Sequence, residues 1–396
     1  MKKKVLVILN RLVIGGQALD TIPLLYHLQG DFEILILYGC KEKDEEEASF
    51  LLETFNNLPL KPIISFRRSF NPYFDVITFF SIVRIMRGFR PDVVHTHGLK
   101  SGLLGRIAAR ITAVPCIVHT FHGHHFHSYF NKFISKSLIF SERLLAKITT
   151  KIVAISTSQA EELATVYKIA PGKKIAVIPL GIDQKLFTAD GAGKRYSFRN
   201  KYNIAPQDVA IGIIGRIVPI KNYSLFVKIV AGTFSKTSHN IKFFVIGDGA
   251  DKVTVQKEFD ALNIRWCGES NFESSTPVIF TSWLPEVAKA LHGMDIVILT
   301  SHNEGTPMSL IEAQFCSKPV VATNVGGVMD TFLNGETGFL IPPGNAEAFI
   351  EKLAILINNE DLRKVMGDKA AIFASQNFSK AKEINNFRIL YQTCTK

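Results

Sequence analysis

Short apolar runs alternate with stretches of helical character along the whole chain, and this alternation predicts an α/β fold. In the first half the runs are Val5–Leu9, Glu33–Tyr38, Asp92–His95, Cys116–Thr120, Lys151–Ile155 and Ile175–Ile178. After residue 208 the pattern recurs with Val209–Ile214, Lys242–Ile246, Val278–Phe280, Asp295–Leu299, Pro319–Ala322 and Gly338–Ile341. Most of these runs are apolar throughout, as in parallel strands buried on both faces. We therefore expect two doubly wound, Rossmann-like α/β domains.

The two sets of strands divide the 396 residues into two domains. We expect the first over residues 1–187 and the second over residues 201–376. The polar, glycine-containing stretch 188–200 is the predicted linker, because composition and charge balance change across it. Open parallel sheets bind ligands at the carboxyl ends of their strands, so functional residues are expected in strand-to-helix loops. Two such domains face to face would form a deep cleft.

Composition excludes several classes of protein. Hydrophobic residues make up 47% of the chain and charged residues 20%, which is typical of a folded protein and not of a disordered one. No run of about 18 uncharged apolar residues occurs, so no membrane-spanning helix is expected. The five cysteines are widely scattered without a C-x-x-C pair. They predict neither a disulfide framework nor a zinc ribbon, and they fit a reducing cytoplasm.

Positive charge is concentrated in the first domain. The formal charge of the chain is +11, and residues 1–195 hold 26 Lys and Arg against 16 Asp and Glu. Cations with helical spacing occur at Lys132, Lys136, Arg143, Lys147 and Lys151, beside an apolar side made of Phe133, Ile134, Leu138, Ile139, Leu144, Leu145 and Ile148. Such a face either binds an anionic membrane surface or is an ordinary solvated helix face. Nucleic acid is not expected, because no recognised binding motif accompanies the charge.

The segment 299–313 carries the most informative pattern. A strand ends near Thr300, and after a short loop Thr306 and Pro307 predict an N-cap and a first helical residue. The start of such a helix is a phosphate site. Its free amides would be those of Met308, Ser309 and Leu310.

Two glutamates flank this predicted helix start. Glu312 lies in an otherwise apolar helix, where an ionised carboxylate needs partners such as the cis-diol of a ribose. Glu304, on the loop, is free to reach hydroxyls of whatever is attached to the phosphate. The alternative is that Glu304 is solvated and that Glu312 caps a neighbour.

The loop 215–222 follows another predicted strand and carries two cations. Arg216 offers a planar fork for phosphate and Lys221 a compact point charge, so together they would neutralise a diphosphate leaving group in place of a metal. The second domain is nearly neutral overall, so these cations are not part of a general basic coat. The alternative is an ordinary solvated lysine.

Histidines cluster in the first domain. Seven of the eleven are His95, His97, His119, His122, His124, His125 and His127. A zinc site over residues 122–127 is one interpretation, but no H-E-x-x-H, nearby carboxylate or close cysteine supports it, and we predict no metal. The competing interpretation is that His122 donates to a developing charge or to a sugar hydroxyl. His95 and His119 lie at strand ends and fit satisfied core histidines.

Two glycine-containing loops give weaker signals. Gly15 and Gly16 follow the first strand and would let the backbone approach a ligand, although a plain turn explains them equally well. Gly247-Asp248-Gly249 matches part of a dinucleotide fingerprint without completing G-x-G-x-x-G, which disfavours a nicotinamide enzyme.

These motifs together resemble those of the retaining glycosyltransferases of family four, which have the GT-B fold. The resemblance spans nearly the whole chain. The matching segments, in the family's order, are Gly15–Gly16, 92–97, 119–124, 177–183, Gly215–Arg216 with Lys221–Asn222, 304–312 and 335–343. The most specific match is a glutamate, seven intervening residues and a second glutamate, Glu304 and Glu312.

The resemblance implies a role for each candidate residue. Arg216 and Lys221 would contact the donor diphosphate. Glu312 would contact the ribose and Glu304 the transferred sugar. The implied donor-binding set is Gly16, Arg216, Lys221, Glu304, Thr306, Pro307, Met308, Ser309, Leu310 and Glu312, and the implied catalytic set is His122, Arg216, Lys221 and Glu304. Members of the family retain anomeric configuration and need no bound metal.

Three departures from the family pattern affect local contacts only. The first loop reads Gly-Gly-Gln-Ala where Gly-Gly-Ala-Glu is common, and Glu286 stands where many relatives have Asp. Residues 265–277 look like extra sequence. The final segment 377–396 resembles the family's closing helix, which crosses back to the first domain.

The sequence therefore predicts a cytoplasmic glycosyltransferase, peripheral on the inner face of the cell membrane. It would move a sugar from a nucleoside diphosphate donor, a UDP-sugar, to a lipid-linked or growing glycan in capsule, exopolysaccharide or lipopolysaccharide synthesis. Two alternatives are a nucleotide-sugar epimerase of the same fold and a non-catalytic nucleotide-sugar-binding protein at the membrane. The coexistence of the phosphate-binding cations, both glutamates and His122 favours the transferase.

Overall fold

The computed structural model describes residues 2–13, 16–42, 47–122 and 132–394. The chain forms two compact units, one made of Met1–Gly181 with Lys380–Lys396 and the other of Ile182–Ser379. Each unit is built on a seven-stranded sheet whose neighbouring strands are parallel. The predicted pair of doubly wound α/β domains is confirmed.

The first sheet has the strand order β3-β2-β1-β4-β5-β6-β7. Its strands are β1 (Lys4–Arg11), β2 (Glu33–Gly39), β3 (Leu60–Ile63), β4 (Val93–His97), β5 (Cys116–Phe121), β6 (Lys151–Ala154) and β7 (Ile175–Val177). The sequence pattern did not predict β3, because Lys61 and Pro62 interrupt its apolar run. Proline is tolerated there because β3 is an edge strand.

Helices of the first unit pack on both faces of this sheet. They are α1 (Gly16–Leu28), α2 (Ser49–Thr54), α3 (Pro72–Phe89), α4 (Leu99–Ile111), α5 (Lys132–Ile148), α6 (Thr157–Glu161) and, from the far end of the chain, α15 (Lys380–Thr393). Side chains alternate along β1, so Val5 and Val7 pack with α1 and with Tyr391 of α15. Leu6 and Ile8 face the opposite side and pack with α3 and α4. Helix α15 is thus part of the first core.

The second sheet has the strand order β10-β11-β9-β8-β12-β13-β14. Its strands are β8 (Val209–Ile214), β9 (Ile241–Ile246), β10 (Trp266–Gly268), β11 (Val278–Ser282), β12 (Ile296–Leu299), β13 (Val320–Thr323) and β14 (Gly338–Ile341). Residues 265–277, which looked like extra sequence, contain β10, and this edge strand pairs with β11. Three residues are too few to show a strand period, so the pattern could not reveal it.

The helices of the second unit are α7 (Gln184–Thr188), α8 (Gly191–Lys201), α9 (Tyr223–Thr233), α10 (Lys252–Ala261), α11 (Val287–Gly293), α12 (Met308–Phe315), α13 (Ala346–Ile357) and α14 (Glu360–Asn377). Short 3₁₀ turns occur at Pro219–Lys221 and Gly326–Asp330. Buried residues of these helices and strands form two cores, one on each face of the sheet.

The predicted linker 188–200 is wrong, because most of it is helix α8. Phe198 is only 2% exposed and packs against Phe244 of β9. Arg195 and Arg199 both bind the carboxylate of Asp295, at 2.7 and 3.0 Å. The polar residues that suggested a linker lie on the outer, solvent-facing side of this helix. The first unit instead ends at Gly181, six residues before the predicted boundary, and resumes at Lys380.

Two cysteines differ from the expectation of no disulfide. The structure joins Cys116 of β5 to Cys394, with Cα atoms 5.8 Å apart. The two residues are 278 positions apart in sequence and meet only because α15 packs on the first sheet, so spacing alone could not pair them. Within the described residues, no helix combines the length and apolar character needed to cross a membrane.

Candidate active site

An ion pair joins two loops at the carboxyl edge of the second sheet. Strands β8 and β12 are neighbours, so the loops that follow them lie side by side. The Nζ of Lys221 lies 2.6 Å from Oε1 of Glu304, and the two side chains are 21% and 13% exposed. Ser301 donates a hydrogen bond to the same carboxylate oxygen at 2.5 Å. The structure therefore brings together the predicted phosphate-binding lysine and the predicted sugar-binding glutamate.

Hydrogen bonds to backbone carbonyls hold these two loops together. The amide of His302 donates to the carbonyl of Ile220 at 2.8 Å, and the hydroxyl of Thr300 donates to the carbonyl of Lys221 at 3.0 Å. The amide of Gly327 donates to the carbonyl of Glu304 at 3.1 Å. Gly326 has φ +50°, and a β-carbon there would overlap the same carbonyl oxygen. The position of Glu304 therefore depends on a third loop, the one after β13.

The lysine side chain passes over a glycine. Gly215 has φ +150°, and a β-carbon there would lie 3.7 Å from the Nζ of Lys221. Its carbonyl accepts a hydrogen bond from the hydroxyl of Tyr223 at 3.3 Å. Arg216 follows in the same loop and is exposed, without a hydrogen bond to any described residue. The structure thus places Lys221 in an ion pair and leaves the guanidinium of Arg216 in solvent.

Helix α12 begins one residue later than the sequence predicts. Pro307, not Thr306, is the N-cap; its ψ of 100° is extended, and no side chain caps the helix. The hydroxyl of Thr306 is buried and has no partner among the residues that the structure describes. The amide of Leu310 donates to the carbonyl of Pro307 at 3.2 Å, so the prediction of a free amide at Leu310 is wrong. Met308 and Ser309 remain as donors at this uncapped helix start, which is where an anion is stabilised.

The carboxyl of Glu312 has no hydrogen-bond partner among the described residues. It is half-buried on α12, in the helix whose other residues include the buried Leu310 and Ile311. Burial raises the pKa of the Glu312 carboxyl to about 7. The alternative that Glu312 caps a neighbour is not what the structure shows. A half-buried carboxyl without a partner in the described part of the chain can take one from a ligand.

The loop 247–249 is a structural turn. Gly247 has φ +140°, and a β-carbon there would overlap the carbonyl oxygen of Gly215. The carboxylate of Asp248 accepts hydrogen bonds from Lys252 and Ser282, both at 2.8 Å. These contacts join the loop after β9 to those after β8 and β11. The turn therefore packs against Gly215, in the loop that carries Lys221.

In the first unit, His122 directly follows β5 and contacts His97, the last residue of β4. The Nδ1 of His97 lies 2.7 Å from Nε2 of His122, and the two rings stack at 5.0 Å. Burial lowers the pKa of both imidazoles below the ordinary value of 6.5. Both rings are therefore neutral at pH 7. A neutral imidazole can donate to or accept from a sugar hydroxyl.

Two neighbouring histidines behave as the sequence predicts for satisfied core residues. His95 lies between the hydroxyl of Tyr391 at 2.6 Å and that of Thr120 at 2.7 Å, and burial lowers its pKa to about 3. His119 contacts the hydroxyl of Thr96 at 2.8 Å. The zinc interpretation concerned residues 122–127, of which 123–127 lie outside the described part of the chain.

Gly16 is the first residue of α1, and Gly15 lies outside the described residues. The next residue, Gln17, donates its side-chain amide to the carbonyl of His97 at 3.1 Å. The start of α1 is therefore tied to the end of β4. Gly16 lies at the same edge of the first sheet as the histidine pair.

Sequence reasoning did not single out several residues of these two sites. Ser301 and Tyr223 each hold a neighbour by one hydroxyl, and a hydroxyl residue gives no pattern of its own. Gly326 depends on a positive φ, which the Gly326-Gly327 pair after β13 could have suggested. His97 was counted in the histidine cluster without a role. Its role depends on strand register, which places His97 opposite Thr120, two residues before His122.

Comparison with known proteins identifies the family. Residues 15–186 match the family model "Glycosyltransferase Family 4", and residues 194–372 match the model "Glycosyl transferases group 1". The two models together cover most of the chain. The chain therefore belongs to the glycosyltransferases of family four, as the motifs predicted.

Curated relatives match over most of their length. The chain is 26% identical over 321 residues to an Escherichia coli protein named UDP-Gal:alpha-D-GlcNAc-diphosphoundecaprenol alpha-1,3-galactosyltransferase, covering 80% of this chain and 79% of that one. It is 28% identical over 338 residues to the capsular polysaccharide biosynthesis glycosyltransferase CapM of Staphylococcus aureus, covering 84% and 85%. The predicted kinship with surface-polysaccharide glycosyltransferases is confirmed.

Solved structures share the fold. The crystal structure of Anabaena Alr3699/HepE in complex with UDP superposes with a TM-score of 0.80 at 20% identity, covering 98% of this chain and all of that one. A glycosyltransferase from Rickettsia africae gives a TM-score of 0.80 at 21% identity, covering 100% and 99%. The predicted GT-B fold is confirmed.

Proposed function

We propose that this glycosyltransferase transfers a sugar from a UDP-sugar to a lipid-linked or growing glycan in surface-polysaccharide synthesis, with retention and without a metal ion. The observation that carries the proposal is the Lys221–Glu304 pair at 2.6 Å, on the same sheet edge as the uncapped start of α12. A cation, a carboxylate and free backbone amides suit the phosphate and the sugar of such a donor.

The donor assignment rests on three groups. Lys221 and the exposed Arg216 supply positive charge for the diphosphate, and the start of α12 supplies amides at Met308 and Ser309. The carboxyl of Glu312 is free to accept hydrogen bonds from a ribose diol. The name of the Escherichia coli relative specifies UDP-galactose, and the HepE crystal contains UDP, which supports uridine as the base.

The proposed reaction breaks the bond between the anomeric carbon and the donor phosphate oxygen. A new bond to the acceptor oxygen forms on the same face of the sugar, and the departing diphosphate takes the acceptor's proton. Lys221 and Arg216 stabilise the charge that develops on the diphosphate. Glu304 binds the hydroxyls of the transferred sugar, and His122 hydrogen-bonds to a sugar or acceptor hydroxyl. Metal independence follows in this proposal from the two cations.

Thermal unfolding of the purified protein with UDP, GDP, ADP and CMP, each with and without EDTA, tests the donor site. A ligand that binds only the folded state raises the midpoint. We expect a selective rise with UDP that EDTA does not change. Lys221→Ala should lose most of that rise, whereas Lys228→Ala, an exposed lysine on α9, should keep it. No rise with any nucleotide, or a rise only with metal, would contradict the proposal.

Product analysis then separates the transferase from its alternatives. Incubation with UDP-galactose and a diphosphoundecaprenol-linked GlcNAc acceptor should yield a longer lipid-linked glycan. Conversion of the donor in the absence of acceptor would indicate an epimerase instead. Saturable donor binding without product, across a panel of UDP-sugars and lipid-linked acceptors, would indicate a binding protein.

The lipid-linked acceptor gives a reason for a membrane-facing surface, which we assign to α5. Phe133, Phe140 and Leu144 are 82%, 61% and 47% exposed, and Phe133 and Leu144 belong to the apolar side that the sequence predicts beside the cations. They lie within about 40° of one another on one face at 100° per residue. Lys136 and Lys147 border them and are exposed. An exposed aromatic stripe beside cations is typical of a helix that lies on an anionic membrane.

A second helix, α3, also carries exposed apolar and basic residues. Helix α4 packs against both α3 and α5. On α3, Tyr73, Val76 and Phe80 are 70%, 54% and 64% exposed, and the exposed Arg84 follows one turn later. Both outer helices therefore present aromatic and basic side chains on one helical layer of the first unit.

Vesicle sedimentation tests the membrane assignment. Lys136→Glu/Lys147→Glu should weaken binding to vesicles of phosphatidylglycerol and phosphatidylethanolamine by about tenfold or more, at about 1 kcal/mol per cation. The charge-matched control Lys228→Glu/Lys257→Glu changes two exposed lysines of the second unit and should have little effect. Equal binding by all three proteins would exclude α5 as the membrane contact.

A further inference from the structure

A cavity of about 690 Å³ opens at the edge of the first sheet where β6 and β7 begin. Its walls come from the end of α5, the start of β6 and the segment 168–174 that leads into β7. No aspartate or glutamate is among its eleven lining residues. Six of the eleven are cationic, namely Arg143, Lys147, Lys151, Lys168, Lys173 and Lys174.

Three of these cations hold the walls of the cavity together. Arg143 donates from Nε and Nη2 to the carbonyl of Tyr167 at 2.9 and 2.7 Å. Lys174 donates to the carbonyl of Ala146 at 2.6 Å, near the end of α5, where positive charge is favoured. Lys151 also donates to a backbone carbonyl, at 2.9 Å. These bonds account for half of the positive charge by its role in the fold.

The other three cations, Lys147, Lys168 and Lys173, have no such role. All three are exposed, and their ammonium groups make no hydrogen bond or ion pair to any residue that the structure describes. They come from three separate segments of the chain and line one concave surface. Like charges gathered in this way repel one another, and a bound anion would relieve that repulsion.

A hydroxyl adds one more donor to this lining. Thr150 accepts a hydrogen bond from the amide of Ile117 at 2.9 Å, which leaves the hydrogen of its own hydroxyl to donate. Buried Ile169 and Ala170 line the cavity as well and supply no polar side chain. The side chains available to a ligand are therefore donors, and most of them are charged.

The cavity lies away from the candidate active site. Lys151 begins β6 and pairs with Val118 of β5, whereas His122 follows the other end of β5. At about 3.3 Å per residue, these two ends of the strand are roughly 13 Å apart. The predicted donor cations, Arg216 and Lys221, belong to the second unit. A ligand in the cavity is therefore not the donor.

We propose that this cavity is a second anion site, which binds a phosphate group through Lys147, Lys168 and Lys173. Several ammonium donors that converge without a carboxylate suit the oxygens of a compact, multiply charged phosphate or diphosphate. Such a group comes either from a small soluble phosphate or from the headgroup of an anionic lipid. Lys147 also borders the exposed Phe140 and Leu144 of α5, so both sources can reach the cavity.

Calorimetric titration with pyrophosphate tests the site, with UDP present to fill the donor site and enough salt to screen exposed charges. We expect saturable binding that Lys168→Gln/Lys173→Gln weakens about tenfold or more for each charged hydrogen bond lost. The control Lys41→Gln/Lys61→Gln removes the same charge from exposed positions of the same unit and should bind as the unaltered protein does. Equal binding by all three proteins, or no binding by the unaltered one, would overturn the proposal.

Vesicle sedimentation then distinguishes the two sources of phosphate. Weaker binding of Lys168→Gln/Lys173→Gln to phosphatidylglycerol and phosphatidylethanolamine vesicles, with competition by pyrophosphate in the unaltered protein, would identify a lipid headgroup. Unchanged vesicle binding would identify a soluble phosphate.

The thermal shift with UDP keeps the two anion sites apart. It should be the same in the unaltered protein, the cavity variant and the control. Its loss in the cavity variant alone would place these lysines in the donor site and overturn the proposal. Its failure in the unaltered protein would refute only the proposed function, because the pyrophosphate comparison does not depend on the donor.

Discussion

At the ends of β4 and β5 the first unit places two neutral, desolvated histidines, whereas at the ends of β8 and β12 the second unit places an ion pair. The strand order of the two sheets is similar, with a chain reversal around a central strand in each. The two edges differ in the charge state of the side chains that they carry. Burial keeps the imidazoles uncharged, while Lys221 and Glu304 form an ion pair. The same fold thus supports two chemistries, which depend on the residues at the strand ends and in the loops that follow.

The largest expected effect is on the charged edge. Lys221→Ala should lower kcat by about 100- to 1,000-fold, because a preorganised charge that stabilises the leaving diphosphate is lost. Steady-state turnover of a UDP-sugar with the lipid-linked acceptor measures it. Lys228→Ala, seven residues along and exposed, is the matched control and should be near normal. Retained turnover in Lys221→Ala would remove the lysine from the mechanism.

The ion pair also predicts coupling. Glu304→Ala and Lys221→Ala should not be additive, because each removes the partner of the other. We expect the kcat of the double variant to be only slightly lower than that of the less active single variant. Strict additivity in the same assay would mean that the 2.6 Å contact has no bearing on turnover.

A smaller effect is the loss of stability at low pH, which we expect at the histidine-bearing edge of the first sheet and not at the edge with the ion pair. His95, His97 and His119 have pKa values lowered by burial, to about 3 for His95. In the unfolded chain they titrate near 6.5, so as the pH falls below about 6.5 the unfolded state binds protons that the buried histidines of the folded state do not, down to about pH 3 for His95. The stability that the neutral histidines confer is therefore present above pH 6.5 and is lost as the pH falls.

Hydrogen exchange at pH 7.5 and 5.5, corrected for intrinsic rates, locates this loss. Amides of β4 and β5 should lose protection at pH 5.5, while those of β8, which carries no titratable side chain, should change little. Uniform loss over both sheets would mean that the histidines do not account for the acid response.

The smallest effect has the opposite sign and concerns the second unit. Burial raises the pKa of Glu312 to about 7, while in the unfolded chain it is about 4.3. Between these values only the folded state holds the proton, so stability falls as the pH rises through this window. Glu312→Gln should flatten that dependence in thermal unfolding from pH 5 to 8. Glu351→Gln, an exposed residue of α13, serves as the control and should leave the slope unchanged.

The sequence pattern predicts the central strands of both sheets, but it does not predict the edge strands β3 and β10 or the helix α8. Val209–Ile214 is buried along its whole length, so its apolar run needs no partner to be recognised. The edge strands β3 and β10 are short and carry polar or bulky residues, and α8 resembles a linker because its outer side is polar. Their structures depend on tertiary contacts, such as Phe198 against Phe244, that no local pattern contains.

The candidate site was predicted by residue type but not by contact. Lys221 and Glu304 were assigned to different parts of the donor, and their direct pairing follows only from the adjacency of β8 and β12. The contact of His97 with His122 requires the register of β4 against β5. The uncapped start of α12 at Met308 depends on the extended ψ of Pro307. A sequence pattern locates the first residue of a helix only to within about one residue.

Because α15 packs on the first sheet, the two units are completed in a fixed order during synthesis. The second unit, Ile182–Ser379, is complete as soon as Ser379 has left the ribosome, whereas the first unit still lacks Phe387, Leu390 and Tyr391. Until they arrive, the side of β1 that bears Val5 and Val7 has no cover from α15. The unit that is translated first is therefore finished last, and its apolar surface is exposed to chaperones or to aggregation throughout that interval.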